Sequence, residues 1–372
     1  MSPAKRNTGL DIIRCIALLF VISVHFFLNS GFYSEPVLGW RMAVMVYMRT
    51  LFMTCVPLFM ILSGYLLCSK QLSISYYKRI VKIYITYLLA GSLCVLYEIL
   101  VNQKGYGFSS LVLILLSFED NMYFWYINMY LGLFLLAPFL NTMYNGLGKQ
   151  THKKVLIFSL LSMTALPALL NSHQITHLSW WLDPTSSGSY HQLIPDWWTG
   201  LYPITYYILG CYLRQYPIQL KRSAKMGILL LSVLAAGTYN LYRSHSVPFI
   251  WGEWSDHKSI LTTFQAVFLF SLFQDLEAPR INSKISWLLQ QISKLSLAAY
   301  LLSWIPDQYF YPMLNAYEPS APLQLKFFPI IVPLILICSL ALAAAVDFAA
   351  GFLSRGVLSV LEALPKKNSV SQ

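Results

Sequence analysis

Residues 9–30 read GLDIIRCIALLFVISVHFFLNS, an apolar run interrupted by Asp11, Arg14 and His25. A helix that crosses a bilayer needs about 20 predominantly apolar residues, and this stretch supplies them. Ionisable side chains inside such a helix are costly, so their presence points to work done there. Arg14 and His25 are eleven residues apart. At about 100° per residue that is three turns plus roughly 20°, which puts both on one face, about 16 Å apart along the axis. One face therefore offers a cation near one membrane boundary and an imidazole towards the other.

The rest of the chain has the composition this opening implies. Of 372 residues, 57% are hydrophobic and 11% charged, against about 25% charged in a soluble domain. The expected fold is all-α: a polytopic membrane bundle of about ten transmembrane helices, occupying residues 1–372 as a single domain. Hydropathy places the spans at 9–30, 44–68, 80–100, 122–144, 155–171, 199–213, 225–242, 259–275, 292–311 and 327–353. An apolar piece at 108–118 is too short to cross. The N-terminus has the basic start of a signal peptide without a small-residue cleavage site, so the first helix is expected to be retained.

The net charge of +11 raises nucleic acid as a partner, but its distribution argues against it. With both termini cytoplasmic, 20 of the 26 lysines and arginines fall on the inner side. The outer side receives six: Arg41, Arg49, Lys104, Arg243, Lys258 and Lys326. This is the positive-inside pattern of a membrane protein, with lipid as the surroundings and no nucleic acid. The six cysteines, Cys15, Cys55, Cys68, Cys94, Cys211 and Cys338, lie in apolar segments without a pairing pattern and read as packing residues.

Two outer loops stand apart. Residues 172–198 and 243–258 are rich in Trp, His and Asp. Tryptophans beside carboxylates either hold sugars, through flat apolar faces and hydrogen-bonding edges, or form the aromatic belt of a membrane interface. His173 and His177 have the spacing of a metal pair on a helix, but no third ligand is visible and no metal is expected.

Four clusters carry chemistry. His25 is either a general base, able to take and return a hydroxyl proton, or a histidine hydrogen-bonded to a neighbouring helix. Arg14 either works with it or snorkels to the interface paired with Asp11. Lys78, Arg79 and Lys82 stand at the inner mouth of the third span, where they either bind the phosphates of a cytosolic polyanion or anchor the helix. Ser63-Gly64-Tyr65 closes the second span, with Gly64 suited to close helix contact and two hydroxyls suited to a ligand. Trp125 opens the fourth span just after Glu119 and Asp120.

In combination these segments resemble the acyltransferase-3 family of membrane O-acyltransferases. The resemblance rests on NTGLDIIR at 7–14, the arginine–ten residues–histidine spacing, VPLFMILSGYLL at 56–67 and YYKRIVK at 76–82. FWYINMYLGLFLLAP at 124–138 and ISKLSLAAYLLSW at 292–304 extend it over roughly residues 7–355. The resemblance implies a ten-span enzyme that takes an acyl group, commonly acetyl, from cytosolic acetyl-CoA. It delivers that group to a hydroxyl of an extracytoplasmic or lipid-linked glycan, in a bacterial plasma membrane, alongside polysaccharide-biosynthesis machinery. It further implies His25 and Arg14 as the catalytic pair, and Arg79 and Lys82 as ligands of the coenzyme A phosphates. Lys78, Ser63 and Tyr65 complete the candidate donor set; Trp125, Glu119, Asp120, Tyr300 and Ser303 form the candidate acceptor set. One position departs from the family pattern: Tyr300-Leu301-Leu302 is followed by Ser303 where a histidine often stands. The rival classes are a secondary transporter, with Arg14 and His25 coupling protons, and a glycan exporter component without acyl transfer.

Overall fold

A computed structural model describes residues 7–117, 123–185, 190–276 and 282–363. In chain order its α-helices are α1 Thr8–Asn29, α2 Gly39–Phe52, α3 Cys55–Leu67, α4 Ile74–Tyr77, α5 Arg79–Leu100 and α6 Phe108–Ser117. They continue with α7 Trp125–Gly146, α8 Gln150–Thr164, α9 Leu166–Leu170, α10 Leu178–Leu182, α11 Tyr202–Gln215 and α12 Arg222–Arg243. The series ends with α13 Ile260–Phe273, α14 Ser283–Leu302, α15 Trp304–Tyr317, α16 Ala321–Gln324 and α17 Phe328–Ala363. Among the described residues there is no strand, only two isolated bridges, Pro36 to Pro248 and Val37 to His245.

Among the described residues seven helical stretches have the length and hydropathy to cross a bilayer: Thr8–Asn29, Gly39–Leu67, Ile74–Leu100, Trp125–Gly146, Gln150–Leu170, Arg222–Arg243 and Ala321–Val360. The three other expected spans fall on α11, α13 and the α14–α15 pair, which do not reach that standard. At 14 residues each, α11 and α13 are shorter than the roughly 20 residues a perpendicular crossing takes.

Proline explains where the helices break. Its missing N–H frees the carbonyl four residues earlier and its ring clashes there. Pro57 thus ends the run of α2 at Met53, Pro306 separates α14 from α15 at Ser303, and Pro167 separates α8 from α9 at Ala165. At the second break the Ser303 hydroxyl donates to the Tyr300 carbonyl at 2.8 Å.

The opening motif has a structural reading. Asn7 caps α1 by accepting from the Gly9 N–H at 2.9 Å, and its amide donates to the Gln274 carbonyl at 2.7 Å. Gly9 sits against the end of α13, where a Cβ would fall 1.9 Å from the Phe273 carbonyl oxygen. The close contact expected at Gly64 is present: a Cβ there would lie 1.9 Å from the Tyr207 carbonyl oxygen. Gly210 reciprocates across the same crossing, with Ile61 oxygen 2.0 Å from where its Cβ would be. Two facing glycines let the backbones of α3 and α11 touch, as small residues do in membrane bundles.

Gly64→Val is therefore expected to destabilise the bundle by about 1–3 kcal/mol, read as a lower melting temperature in detergent. Gly227→Ala, with nothing within 4 Å of the added carbon, should not lower it. Equal melting temperatures for Gly64→Val and wild type would contradict the close α3–α11 crossing.

Candidate active site

His25 and Arg14 project from α1 into the bundle, as their spacing predicts, but into different cavities. His25 lines a cavity of about 370 Å³ with Tyr123, Trp125, Tyr202, Trp251, Asp256, His257 and Tyr300. This is the loop-end cavity, because residues 251, 256 and 257 belong to the loop between α12 and α13. Arg14 lines a middle cavity of about 240 Å³ with Ser63, Tyr126, Tyr130, Ser293 and Tyr300. It also reaches a basic-end cavity of about 440 Å³, with Ser63, Arg79, Lys82, Tyr130, Lys294 and Asp347. Tyr300 is common to the loop-end and middle cavities; Arg14, Ser63, Ile83, Tyr130, Lys294 and Leu297 are common to the other two. Three adjoining spaces therefore run along the face of α1 that carries Arg14 and His25.

At the loop end of this series His25 makes a contact that its own helix does not reveal. His25 Nδ1 lies 3.3 Å from Asp307 Oδ2, and the Asp307 carboxylate is fully buried. The Tyr123 hydroxyl donates to the same oxygen at 2.7 Å. The His25 ring stacks on Tyr123 with centroids 3.7 Å apart and planes at 19°. Asn29 donates to the His25 carbonyl at 2.8 Å and to the Tyr123 hydroxyl at 3.1 Å. Below them the Tyr300 hydroxyl donates to the Tyr123 carbonyl. The His25–Asp307 approach is off the line of a formed hydrogen bond, as such contacts often are before a substrate tightens them.

Local structure explains how a carboxylate can be buried here. The Pro306 break begins a new helix at Trp304, and Asp307 lies in its first turn. There the positive end of the helix dipole favours a negative side chain. The signal was available: Asp307 is a lone carboxylate in an apolar stretch, which the rule used for His25 would have marked.

Arg14 Nη1 donates to Ser293 Oγ on α14 at 2.9 Å. At the basic end Lys82 pairs with Asp347 at 2.6 Å, and Lys294, which the sequence reading passed over, pairs with the same carboxylate at 3.1 Å. Arg14, Arg79, Lys82 and Lys294 thus share one cavity with the single carboxylate Asp347. A net positive lining of this kind suits phosphate groups.

Other candidates sit elsewhere. Lys78 pairs with Glu362 at 2.5 Å on the surface, holding that carboxyl below its ordinary range. Tyr65 packs on Phe270, with the Arg214 guanidinium donating to its carbonyl at 2.9 Å, and lines none of the three cavities. Ser303 is buried in the α14–α15 break and lines none of them either. Ser63 lines two cavities while its hydroxyl donates to the Phe59 carbonyl at 2.8 Å. Trp125 and Tyr300 join His25 at the loop end. Glu119 and Asp120 lie outside the described residues.

The outer loops divide by role. Arg243, read as an outward charge, is fully buried among Trp180, Tyr190, Tyr239 and Trp254, 3.8 Å from the Trp254 ring centroid. Arg49 is equally buried, 4.5 Å from the Phe249 ring centroid and 5.1 Å from that of Trp251. It donates to the Tyr33 hydroxyl at 2.7 Å and the Ser255 carbonyl at 3.0 Å. Both arginines act as pins for the loops, cations desolvated against aromatic faces. His173 bonds the Tyr239 hydroxyl at 2.9 Å, and burial lowers its pKa. His177 precedes α10 rather than sharing a helix with it. No group of three metal-ligating side chains exists among the described residues.

These features define a polytopic helical protein with a buried His–Asp pair at an aromatic cavity, which a middle cavity links to a cationic one. The chain belongs to the acyltransferase-3 family: the family's acyltransferase domain matches residues 7–347. It is a membrane acyltransferase. No curated protein and no solved structure matches it.

If His25 and Asp307 act as a pair, their substitutions must interact. A double-mutant cycle of His25→Gln and Asp307→Asn, read by thermal unfolding in detergent, is expected to give a coupling of about 1 kcal/mol or more. Additivity to within about 0.3 kcal/mol would contradict the pair.

Proposed function

We propose that the protein transfers an acetyl group from cytosolic acetyl-CoA to a hydroxyl of an extracytoplasmic or lipid-linked glycan. The observation that carries this reading is the placement of His25, backed by Asp307, in the aromatic loop-end cavity, which Tyr300 joins to the middle cavity and so to the cationic one. In this reading the basic end faces the cytosol. Arg79, Lys82 and Lys294 take the phosphates of the donor, displacing Asp347 as their partner. The pantetheine arm follows the shared wall past Arg14 and Ser63. The distance from Arg14 to His25, about 16 Å along the helix, is comparable to the length of that arm in extended form.

The chemistry then follows from which nitrogen of His25 is held. Asp307 faces Nδ1, which leaves Nε2 as the basic atom for the cavity. As the acceptor oxygen attacks the thioester carbonyl carbon, its proton passes to Nε2. The new C–O bond forms, the C–S bond breaks, and the departing thiolate receives the proton back from the imidazolium. Asp307 holds the ring in place and stabilises its charged form, while the Tyr123 hydroxyl keeps the carboxylate fixed. The buried surroundings strengthen each of these interactions relative to water. A bacterial plasma membrane is the setting this reading implies, with polysaccharide-assembly enzymes as the suppliers of the acceptor.

The test uses purified protein in nanodiscs, with acetyl-CoA binding and its slow hydrolysis as readouts. Replacing Arg79 and Lys82 with alanine together is expected to weaken binding about tenfold or more, the loss of charge-assisted phosphate contacts. His25→Ala should keep binding and lower turnover by about 100-fold or more. Asp307→Asn should lower turnover with little change in binding. A His25→Ala protein as active as wild type, or wild-type protein that binds no acetyl-CoA, would overturn the proposal.

A further inference from the structure

The loop-end cavity has a one-sided hydrogen-bonding character that selects its occupant. His257 shows how this arises. Pro57 has no N–H, so the Met53 carbonyl lacks its helical donor, and His257 Nδ1 occupies it at 2.9 Å. A carbonyl oxygen only accepts, so Nδ1 carries the proton and Nε2 is left as an acceptor. Asp256 adds a carboxylate to the same cavity, one oxygen of which accepts from the His257 backbone N–H at 2.6 Å.

The tyrosines that line this cavity have spent their protons elsewhere. Tyr123 donates to Asp307, Tyr300 to the Tyr123 carbonyl, and Tyr202 to Met129 Sδ at 3.4 Å. Among the lining residues the indole N–H groups of Trp125 and Trp251 and the Cys55 thiol remain as the side-chain donors. No lysine or arginine among the described residues lines it. Trp125 and Trp251 nevertheless stand 42% and 50% exposed. Both line the space that His25 lines, so each presents part of its ring to that cavity.

We propose that this cavity is the acceptor subsite for a neutral pyranose of a glycan, with Trp125 and Trp251 as its apolar walls. Asp256 and His257 Nε2 accept hydrogen bonds from its hydroxyls. Hydroxyl groups supply the donors this lining lacks, and aromatic walls match the apolar face of a sugar ring. Uronic acids and sugar phosphates are disfavoured, because each would meet the Asp256 carboxylate with no cation in the lining to pair with it. The inference rests on the acyl-transfer reading for its biological sense, but its test does not depend on acyl transfer.

The full chain in nanodiscs is titrated with methyl β-glucopyranoside, methyl β-glucuronide and glucose 6-phosphate, with tryptophan fluorescence as readout. Saturable binding of the glucoside is expected, with the two anions weaker by about tenfold or more. Asp256→Asn, which keeps an oxygen for the His257 N–H, should narrow that preference several-fold. Trp125→Ala should weaken the glucoside several-fold, with the melting temperature reporting that each variant is folded. Equal or tighter binding of an anion, no saturable glucoside binding, or an unchanged preference in a folded Asp256→Asn protein would overturn the subsite. Acetyl-CoA binding in the same preparation separates the two readings. Glucoside binding without acetyl-CoA binding would sink acyl transfer and leave the subsite, and the reverse result would sink the subsite alone.

Discussion

The buried contact among His25, Asp307 and Tyr123 is the constraint to which the rest of the bundle answers. A carboxylate removed from water is unfavourable by several kcal/mol unless charge and hydrogen bonds compensate it. Asp307 receives three such compensations: the imidazole at 3.3 Å, the Tyr123 hydroxyl at 2.7 Å and the first turn of its own helix. Each comes from a different part of the chain, so α1, the approach to α7 and α15 must arrive together. Asn29 and Tyr300 secure the same point from either side through the Tyr123 hydroxyl and carbonyl. The arrangement holds a titratable pair away from bulk water in a defined geometry, which general acid–base chemistry requires.

Proline supplies the second layer of this design. In the membrane interior an unpaired backbone carbonyl is costly, and a broken helix is tolerated where something re-satisfies the freed group. The break before Pro57 frees Met53 oxygen, and His257 from a distant loop takes it. Hence the VP of VPLFMILSGYLL both interrupts a span and fixes the tautomer of a cavity histidine. Pro306 does the corresponding work on the other wall, placing Asp307 at a helix start and Tyr300 at a helix end. The loop that brings His257 is pinned in turn by Arg49 through the Ser255 carbonyl and by the aromatic cage around Arg243.

What was legible in the sequence was what lies within one helix or one short motif. Arg14 and His25 declare a shared face because eleven residues is close to three turns, and the helix is straight enough to keep that promise. Gly64 declares a close crossing because nothing else in SGY explains a glycine mid-helix. Asp307 was harder to see, because its meaning depends on a histidine at the other end of the chain. Arg49 and Arg243 show a related limit: charge-counting assigns an arginine to one side of the membrane and says nothing of what surrounds it. Their neighbours in sequence do not reveal the cages that bury them. Lys82 lies in sequence beside Arg79 and shares its cavity, but its carboxylate partner Asp347 comes from α17. The span count was firm for long helices and ambiguous for α11 and α13, whose burial inside the bundle permits a length below that of a lipid-facing span.

The two ends of the cavity series differ in a way that bears on direction. At the basic end four cations line the wall with the carboxylate of Asp347, and two of them, Arg14 and Lys294, also line the middle cavity, so an anionic ligand gains by entering there. At the loop end the lining is acceptor-rich and without lysine or arginine, so a hydroxyl-bearing neutral ligand is favoured and an anion is not. Within the proposed reading, each substrate is excluded from the other's end by electrostatics, before any moving part is invoked. Proton movement from hydroxyl to imidazole to thiolate then begins and ends with no net charge left at His25. A reaction with that balance suits a site enclosed by helices, because no ion has to be created and abandoned in low dielectric.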